Sequence, residues 1–188
     1  MEVKMDTYNE NELVGKLKKG DMDSFERLLD LYGNRLIKTC YLILNDKDEA
    51  EDAVQETFIR VFRNIHNFNL QSSLYTWIYS IALNICRDML KRRKYEYPCG
   101  EYLSGEGDNT EELVLDRIDR EILREKLFDL PVIYKEVLVL YYFEGLTIKE
   151  IGQVLGEKEG TVKSKLSRGR AMLRSALIKG GEFIEGQV

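Results

Sequence analysis

The stretch LTIKEIGQVLGEKEGTVKSKLSRGR, residues 146–170, carries two short helical patterns on either side of a tight turn. Thr147 followed three residues later by Glu150 is a capping box, in which the hydroxyl accepts a backbone N–H and the carboxylate reaches back to the cap. Ile148, Ile151 and Leu155 supply an inward stripe, and Gly156 stands where a helix ends in the left-handed conformation. A second helix begins near Glu159. This is the sequence form of a helix-turn-helix.

The second helix has two unlike faces. At about 100° per residue, Leu166, Gly169 and Leu173 lie within about 40° of Val162 and face a core. Ser164, Ser167, Arg168 and Ala171 point away, with Lys163, Arg170 and Arg174 on one edge and Lys165 on the other. Small polar residues and one arginine between basic edges fit a major groove. Flanking cations hold phosphates there, while Arg168 and the serines meet base edges.

Charge is distributed unevenly around this segment. The chain of 188 residues has a formal net charge of −5, yet residues 161–179 hold six basic side chains and no acid. A second cationic cluster comprises Arg87, Lys91, Arg92, Arg93 and Lys94 against Asp88. Residues 45–56 are acidic, with Asp46, Asp48, Glu49, Glu51, Asp52 and Glu56 against Lys47. Two separated basic stretches suggest two contacts with one polyanion, and the acidic stretch suggests a basic protein partner. Residues 96–125 carry ten acids against three arginines, and this acidic stretch, together with the acidic N-terminal domain, is expected to compete with phosphate for the basic helix in the free chain.

Helical periodicity also governs residues 8–95. Leu13 and Leu17 precede Gly20, and Phe25, Leu28, Leu29, Leu36 and Ile37 follow it. Asp46 or Asp48 can cap the next helix, whose apolar face is Ala50, Val54, Phe58, Val61, Phe62 and Ile65. Ser72 or Ser73 caps another, with Leu74, Trp77, Ile78, Ile81 and Ile85 inward. No stretch alternates with period two for long enough to be a strand. EYPCGEYLSGEGDNT, residues 96–110, reads as a flexible tether. The expected fold is therefore all-α, two small helical domains joined by a linker.

Composition excludes several classes. Cys40, Cys86 and Cys99 form no CxxC pair and His66 is the single histidine, so no metal site, disulfide framework or cofactor is expected. No catalytic partner for His66, glycine-rich phosphate cradle or H-x-E motif is evident, so no enzyme is expected. The longest apolar run, Val137 to Phe143, is too short to span a bilayer, and no secretion signal opens the chain, which makes the cytoplasm the expected compartment.

Three segments, AEDAVQETFIRVFRNI (50–65), SLYTWIYSIALNICRDMLKRRK (73–94) and GTVKSKLSRGR (160–170), together resemble a bacterial RNA polymerase sigma factor of the extracytoplasmic-function (ECF) group. The likeness runs from about Leu13 to Leu177 with the motifs in order. It implies sigma region 2 over 1–95, a linker over 96–110 and sigma region 4 over 111–188. The function implied is that of an alternative sigma factor that binds core polymerase and recognises −10 and −35 promoter elements. Its implied partners are core RNA polymerase (β′ and β subunits), promoter DNA and an anti-sigma factor that can be membrane-anchored.

The resemblance also assigns positions. Asp52, Gln55 and Glu56 match the helix that grips the β′ coiled coil. Phe68, Asn69, Leu70, Gln71 and Ser72, with Asn84 and Arg87, match the −10 face, where a flipped base enters a pocket. Lys163, Ser164, Lys165, Ser167, Arg168 and Arg170 match the −35 helix. Ser80 stands where many members have a basic residue, and Lys158 where a serine often caps the helix. The competing reading is a stand-alone helix-turn-helix regulator with a sensory N-terminal domain, separable by co-purification with core polymerase.

Overall fold

The computed structural model describes residues 7–96 and 114–179, with side chains described over 10–95 and 120–179. Eight α-helices make up nearly all of these residues, with no strand among them. The first unit comprises α1 (Thr7–Lys18), α2 (Met22–Leu44), α3 (Lys47–Asn64), a 3₁₀ turn at Ile65–Asn67 and α4 (Leu74–Glu96). The second comprises α5 (Val114–Phe128), α6 (Val132–Leu138), a π-helical turn at Val139–Phe143, α7 (Ile148–Leu155) and α8 (Glu159–Lys179). Apart from Glu96, the expected tether lies outside the described residues, as does Cys99.

Local chemistry sets the boundaries. Asp21 caps α2 by accepting the Ser24 N–H at 3.1 Å, and Asn45 ends it in the left-handed region at φ 55°. Asp46, rather than Asp48, caps α3 through the Glu49 N–H at 2.9 Å. Ser73, rather than Ser72, does the same for α4, its Oγ accepting from the Thr76 N–H at 3.1 Å. Each such cap satisfies a donor that the helix itself leaves unpaired, a contribution of about 1 kcal/mol.

The core of the first unit is built where α2, α3 and α4 meet, around Leu28, Leu36, Ile43, Leu74, Ile78 and Leu83, all buried. Fully burying one such leucine is worth roughly 1.5–3 kcal/mol. Two positions of the expected apolar faces turn outward: Leu29 is 46% exposed and Phe62 50%. Phe62 nevertheless keeps one face on Phe25, ring centres 4.7 Å apart. A three-residue turn spacing leaves such residues at the margin of the buried stripe, where neighbours decide the outcome.

In the second unit, α6 and α7 pack on α8 through Leu138, Ile151, Val162 and Leu166. The π turn widens the backbone by one residue, with the Glu144 N–H bonded to the Val139 carbonyl. It leaves Tyr141, Tyr142 and Phe143 exposed and sends Glu144 inward. The two units meet along α2 and α4, which contact α5, α6, α7 and the π turn. Cys40 and Cys86 are buried free thiols; the neighbouring Cys40 thiol and burial both raise the Cys86 pKa, which disfavours a reactive thiolate. No described helix is long and apolar enough to cross a membrane.

Candidate nucleic-acid interface

The helix-turn-helix is closed by its predicted devices. Thr147 and Glu150 form the reciprocal capping box, with the Thr147 N–H donating to Glu150 Oε2 at 2.8 Å. Gly156 sits at φ 67°, a region where a side chain would be strained, and its N–H returns to the Gly152 carbonyl. That carbonyl also accepts the Glu157 N–H at 2.8 Å, which folds the turn tightly against α7. Gly169 lets α8 approach α6, since a Cβ there would stand 3.2 Å from Leu138 Cδ1.

Burial divides α8 as the wheel requires. Val162, Leu166 and Gly169 are buried, whereas Ser164, Ser167 and Arg168 are exposed, as are Lys163 and Arg170. Lys165 differs from the others. Its ammonium is paired with Glu157 in the turn, so it is half-buried and braces the motif from within. The Ser164 hydroxyl donates to the Thr161 carbonyl at 2.9 Å and retains acceptor capacity.

The expected −10 loop is a shaped cavity rim. After the 3₁₀ turn, Phe68 is buried with its ring 5.0 Å from Trp77, and its carbonyl accepts from Lys18 Nζ at 2.6 Å. Asn69 Oδ1 accepts the Gln71 N–H at 3.2 Å, which holds the exposed Leu70 between them at φ 62°. A left-handed leucine is uncommon and costs roughly 1–2 kcal/mol. Glu10 accepts the Leu74 N–H at 2.8 Å, tying α1 to the start of α4. A cavity of about 440 Å³ opens here, lined by Phe68, Asn69, Gln71, Ser72 and Trp77 and, from α7, Gln153. That size falls within the range of small-ligand pockets and suits an extruded base. Ser80 also lines it, its hydroxyl turned back to the Trp77 carbonyl.

One turn along α4, Asn84 is exposed and Arg87 is half-buried. Arg87 gives Nε and Nη2 to the two oxygens of Glu136 at 2.6 and 2.7 Å, and Nη1 lies 3.4 Å from Asn84 Oδ1. Arg93, from the same basic cluster, is bound to Glu49 and to the Leu44 carbonyl. The cluster is thus partly neutralised in place, while Arg92 and Lys94 remain exposed.

On α3, Asp52 and Gln55 are exposed and Glu56 is half-buried. The sequence suggests an acidic face with no partner in its own segment; Glu56 instead accepts from Arg60 Nε at 2.7 Å, one helical turn on. An i,i+4 pair of this kind is worth only about 0.3–0.5 kcal/mol and leaves the carboxylate available to a stronger partner. Exposed Ile59 and Phe62 lie on the same helix.

Several side chains at these surfaces escape sequence reasoning. Lys18 and Glu10 support the loop from 50 and 64 residues away, and Glu136, Glu144 and Gln153 approach α4 from the second unit. Only Glu144 leaves a trace in the sequence, as an acid closing the apolar run VLVLYYF. Tyr75 and Tyr79 both donate to it, and burial first, then the hydrogen bond and charge of Glu144, raise their pKa values.

Comparison with known proteins gives two family matches, Sigma-70 region 2 over residues 28–95 and Sigma-70, region 4 over residues 120–173. The ECF RNA polymerase sigma factor SigW of Bacillus subtilis is 35% identical over 180 residues, 87% of this chain and 94% of its own. SigE of Mycolicibacterium smegmatis, another ECF sigma factor, is 35% identical over 163 residues, 84% of this chain and 63% of its own. Among solved structures, CnrH in complex with the cytosolic domain of CnrY matches with a TM-score of 0.71 at 22% identity, covering 90% of this chain and 97% of that one. The sigma factor RpoE from Bartonella quintana, solved with the anti-sigma factor NepR, matches at 0.69 and 23% identity, covering 82% and 96%. These likenesses show the same helical fold.

Proposed function

This chain belongs to the ECF group of RNA polymerase sigma factors, non-catalytic factors that direct transcription initiation, and we propose how its residues divide that work. Region 2 spans 1–95 and region 4 spans 111–188. The exposed acids and Gln55 of α3 engage the β′ subunit, with Ile59 and Phe62 supplying apolar contact beside Asp52 and Glu56. The cavity bounded by Phe68, Asn69, Gln71 and Ser72 receives a base extruded from the −10 element, while Asn84 and Arg87 hold the adjoining strand. Leu70 presents an apolar surface at the cavity mouth.

Region 4 reads the −35 element through α8. Ser164, Ser167 and Arg168 meet base edges, and Lys163 and Arg170 hold phosphates on the flanks. Lys165 reaches phosphate only by exchanging its Glu157 partner. The observation that carries the reading is the coexistence, in one chain, of a base-sized cavity lined by region 2 with Gln153 of region 4 at its edge, and a polar outer face on a capped helix-turn-helix. A stand-alone regulator has no use for the first of these.

Work in the cytoplasm follows from polymerase and promoter as partners. An anti-sigma factor is a further expected partner, since the two structural relatives above were solved with CnrY and with NepR. The test is holoenzyme assembly. Replacing Asp52 and Glu56 with lysine abolishes binding to core polymerase while helicity is unchanged. Undiminished binding would remove the α3 assignment.

A further inference from the structure

Both ends of the −10 loop are tied to α1, a helix that contributes no side chain to the cavity wall. Lys18 Nζ donates to the Phe68 carbonyl at 2.6 Å, and Glu10 Oε1 accepts the Leu74 N–H at 2.8 Å. Phe68 and Leu74 are buried and bracket the five residues Asn69–Ser73. At about 100° per residue, Glu10 falls on the same face of α1 as Leu13, Val14 and Leu17, whose burial anchors the helix. Lys18 lies at the edge of that face. An acid on an inward face needs a donor, and the first N–H of α4 has no acceptor within its own helix.

Between these anchors the loop does little to hold its own shape. Among the described residues, no backbone N–H of residues 69–73 reaches a backbone acceptor. The bonds within the loop are the Gln71 N–H to Asn69 Oδ1 at 3.2 Å and the Ser72 hydroxyl to the Ser73 carbonyl at 3.3 Å. Leu70, at φ 62°, is in a left-handed conformation that a leucine keeps only where its surroundings impose it. Hydrogen bonds with a charge on one partner are the strong ones, and α1 supplies one at each end of the loop.

We infer that α1 clamps the −10 loop at two points, and that Glu10 and Lys18 are positioning residues for the choice of base. They set the spacing between Asn69, Gln71 and Ser72 on the loop and Thr76 and Trp77 on the facing wall of α4. The inference rests on the assignment of this cavity to the extruded −10 base. A site selects among bases only while its polar groups are held to within about 0.5 Å. A loop released at one end keeps those groups but loses that precision, so the clamp acts on which base is accepted and leaves polymerase assembly alone.

The test measures holoenzyme binding to templates pre-melted at −10, with each base of the element varied in turn. One well-placed pair of hydrogen bonds discriminates about 5- to 150-fold between bases. Glu10→Ala and Lys18→Met each lower the ratio of best to worst base at the most selective position about fivefold, at unchanged affinity for core polymerase. Glu10→Gln and Lys18→Arg keep the bonding atom and retain most of the ratio. The double variant Glu10→Ala/Lys18→Met loses little more than either single change, because both act on one loop. Trp77, the single tryptophan, packs on Phe68 and reports the rim in the free chain. Acrylamide quenches its emission more in Glu10→Ala and Lys18→Met, and not in the conservative variants, while circular dichroism shows unchanged helicity. Wild-type discrimination in both Glu10→Ala and Lys18→Met, with Gln71→Ala defective, overturns the clamp. So does a salt slope lowered by about 0.7–0.9 in Lys18→Met, which marks a phosphate contact instead. Losses that multiply in the double variant overturn it as well. Failure of the underlying −10 assignment has its own signature: Asn69→Ala and Gln71→Ala would discriminate as well as wild type, whatever Trp77 reports.

Discussion

Gly152→Ala tests whether the close turn of the helix-turn-helix determines how α8 is presented. The change normally favours a helix, since alanine exceeds glycine by about 0.8–1.0 kcal/mol in a helix interior. At this position a Cβ would stand 2.7 Å from the Glu157 carbonyl oxygen. That oxygen is backbone, and the Glu157 N–H is bonded at 2.8 Å to the Gly152 carbonyl itself, so neither partner can rotate aside. Overpacking costs about 1–3 kcal/mol, and against backbone that cannot move aside the upper part of that range, about 2–3 kcal/mol, applies; after the propensity gain the net loss is about 1–2 kcal/mol. For a chain of this size the melting temperature falls by about 2–8 °C. Gly33→Ala is the internal control, because Gly33 lies within α2 and a Cβ there would meet nothing within 4 Å. It raises stability by about 1 kcal/mol. Thermal unfolding of both, with −35 duplex binding by the holoenzyme, reads the result. A Gly152→Ala protein that melts higher than wild type and binds −35 duplex normally would refute the reasoning.

Arg168→Ala loses base discrimination at −35, at about 1–3 kcal/mol for a bidentate contact, whereas Lys163→Ala weakens binding to all sequences and lowers its salt dependence. Affinity measured on matched and mismatched −35 duplexes at two salt concentrations separates them, and equal defects in both would dissolve the division of roles. Lys18→Met releases the Phe68 carbonyl and loosens the cavity rim, so holoenzyme discriminates less between −10 bases on a pre-melted template while polymerase affinity is unchanged; Lys18→Arg retains most of the discrimination. Lys135 supplies a pH signature. Burial beside Phe128 lowers its pKa from 10.5 to about 8, with Arg93 adding to the shift and Asp129 opposing it. Between those values the unfolded chain holds a proton that the folded chain has released, so stability rises with pH, by about 2 kcal/mol from pH 8 to 10. Denaturant titrations across that window show the rise in wild type and its absence in Lys135→Met.

The elements were legible because their signals are local. Capping box, apolar stripe and left-handed glycine each lie within a few residues of one another, and Thr147, Ile151 and Gly156 occupy those roles in the structure. The faces of α8 were legible for the same reason, since a helical wheel needs only the sequence of that helix. Margins were not: Leu29 and Phe62 sit at the edge of their stripes, and their exposure depends on what packs alongside. Least legible were the side chains whose meaning is tertiary. Lys18 looks like any lysine at a helix end until Phe68 is brought to it, and Glu136 like any helical glutamate until Arg87 closes on it. Lys165 shows the converse, a cation counted toward phosphate whose neighbour Glu157 claims it.

The most direct test of the account is run-off transcription from a genomic promoter library with purified core polymerase, with and without the full chain. The account predicts discrete transcripts that require the chain, and that are lost with Asp52→Lys/Glu56→Lys and with Arg168→Ala. No chain-dependent transcript from any promoter, despite a folded protein and active core, would contradict it.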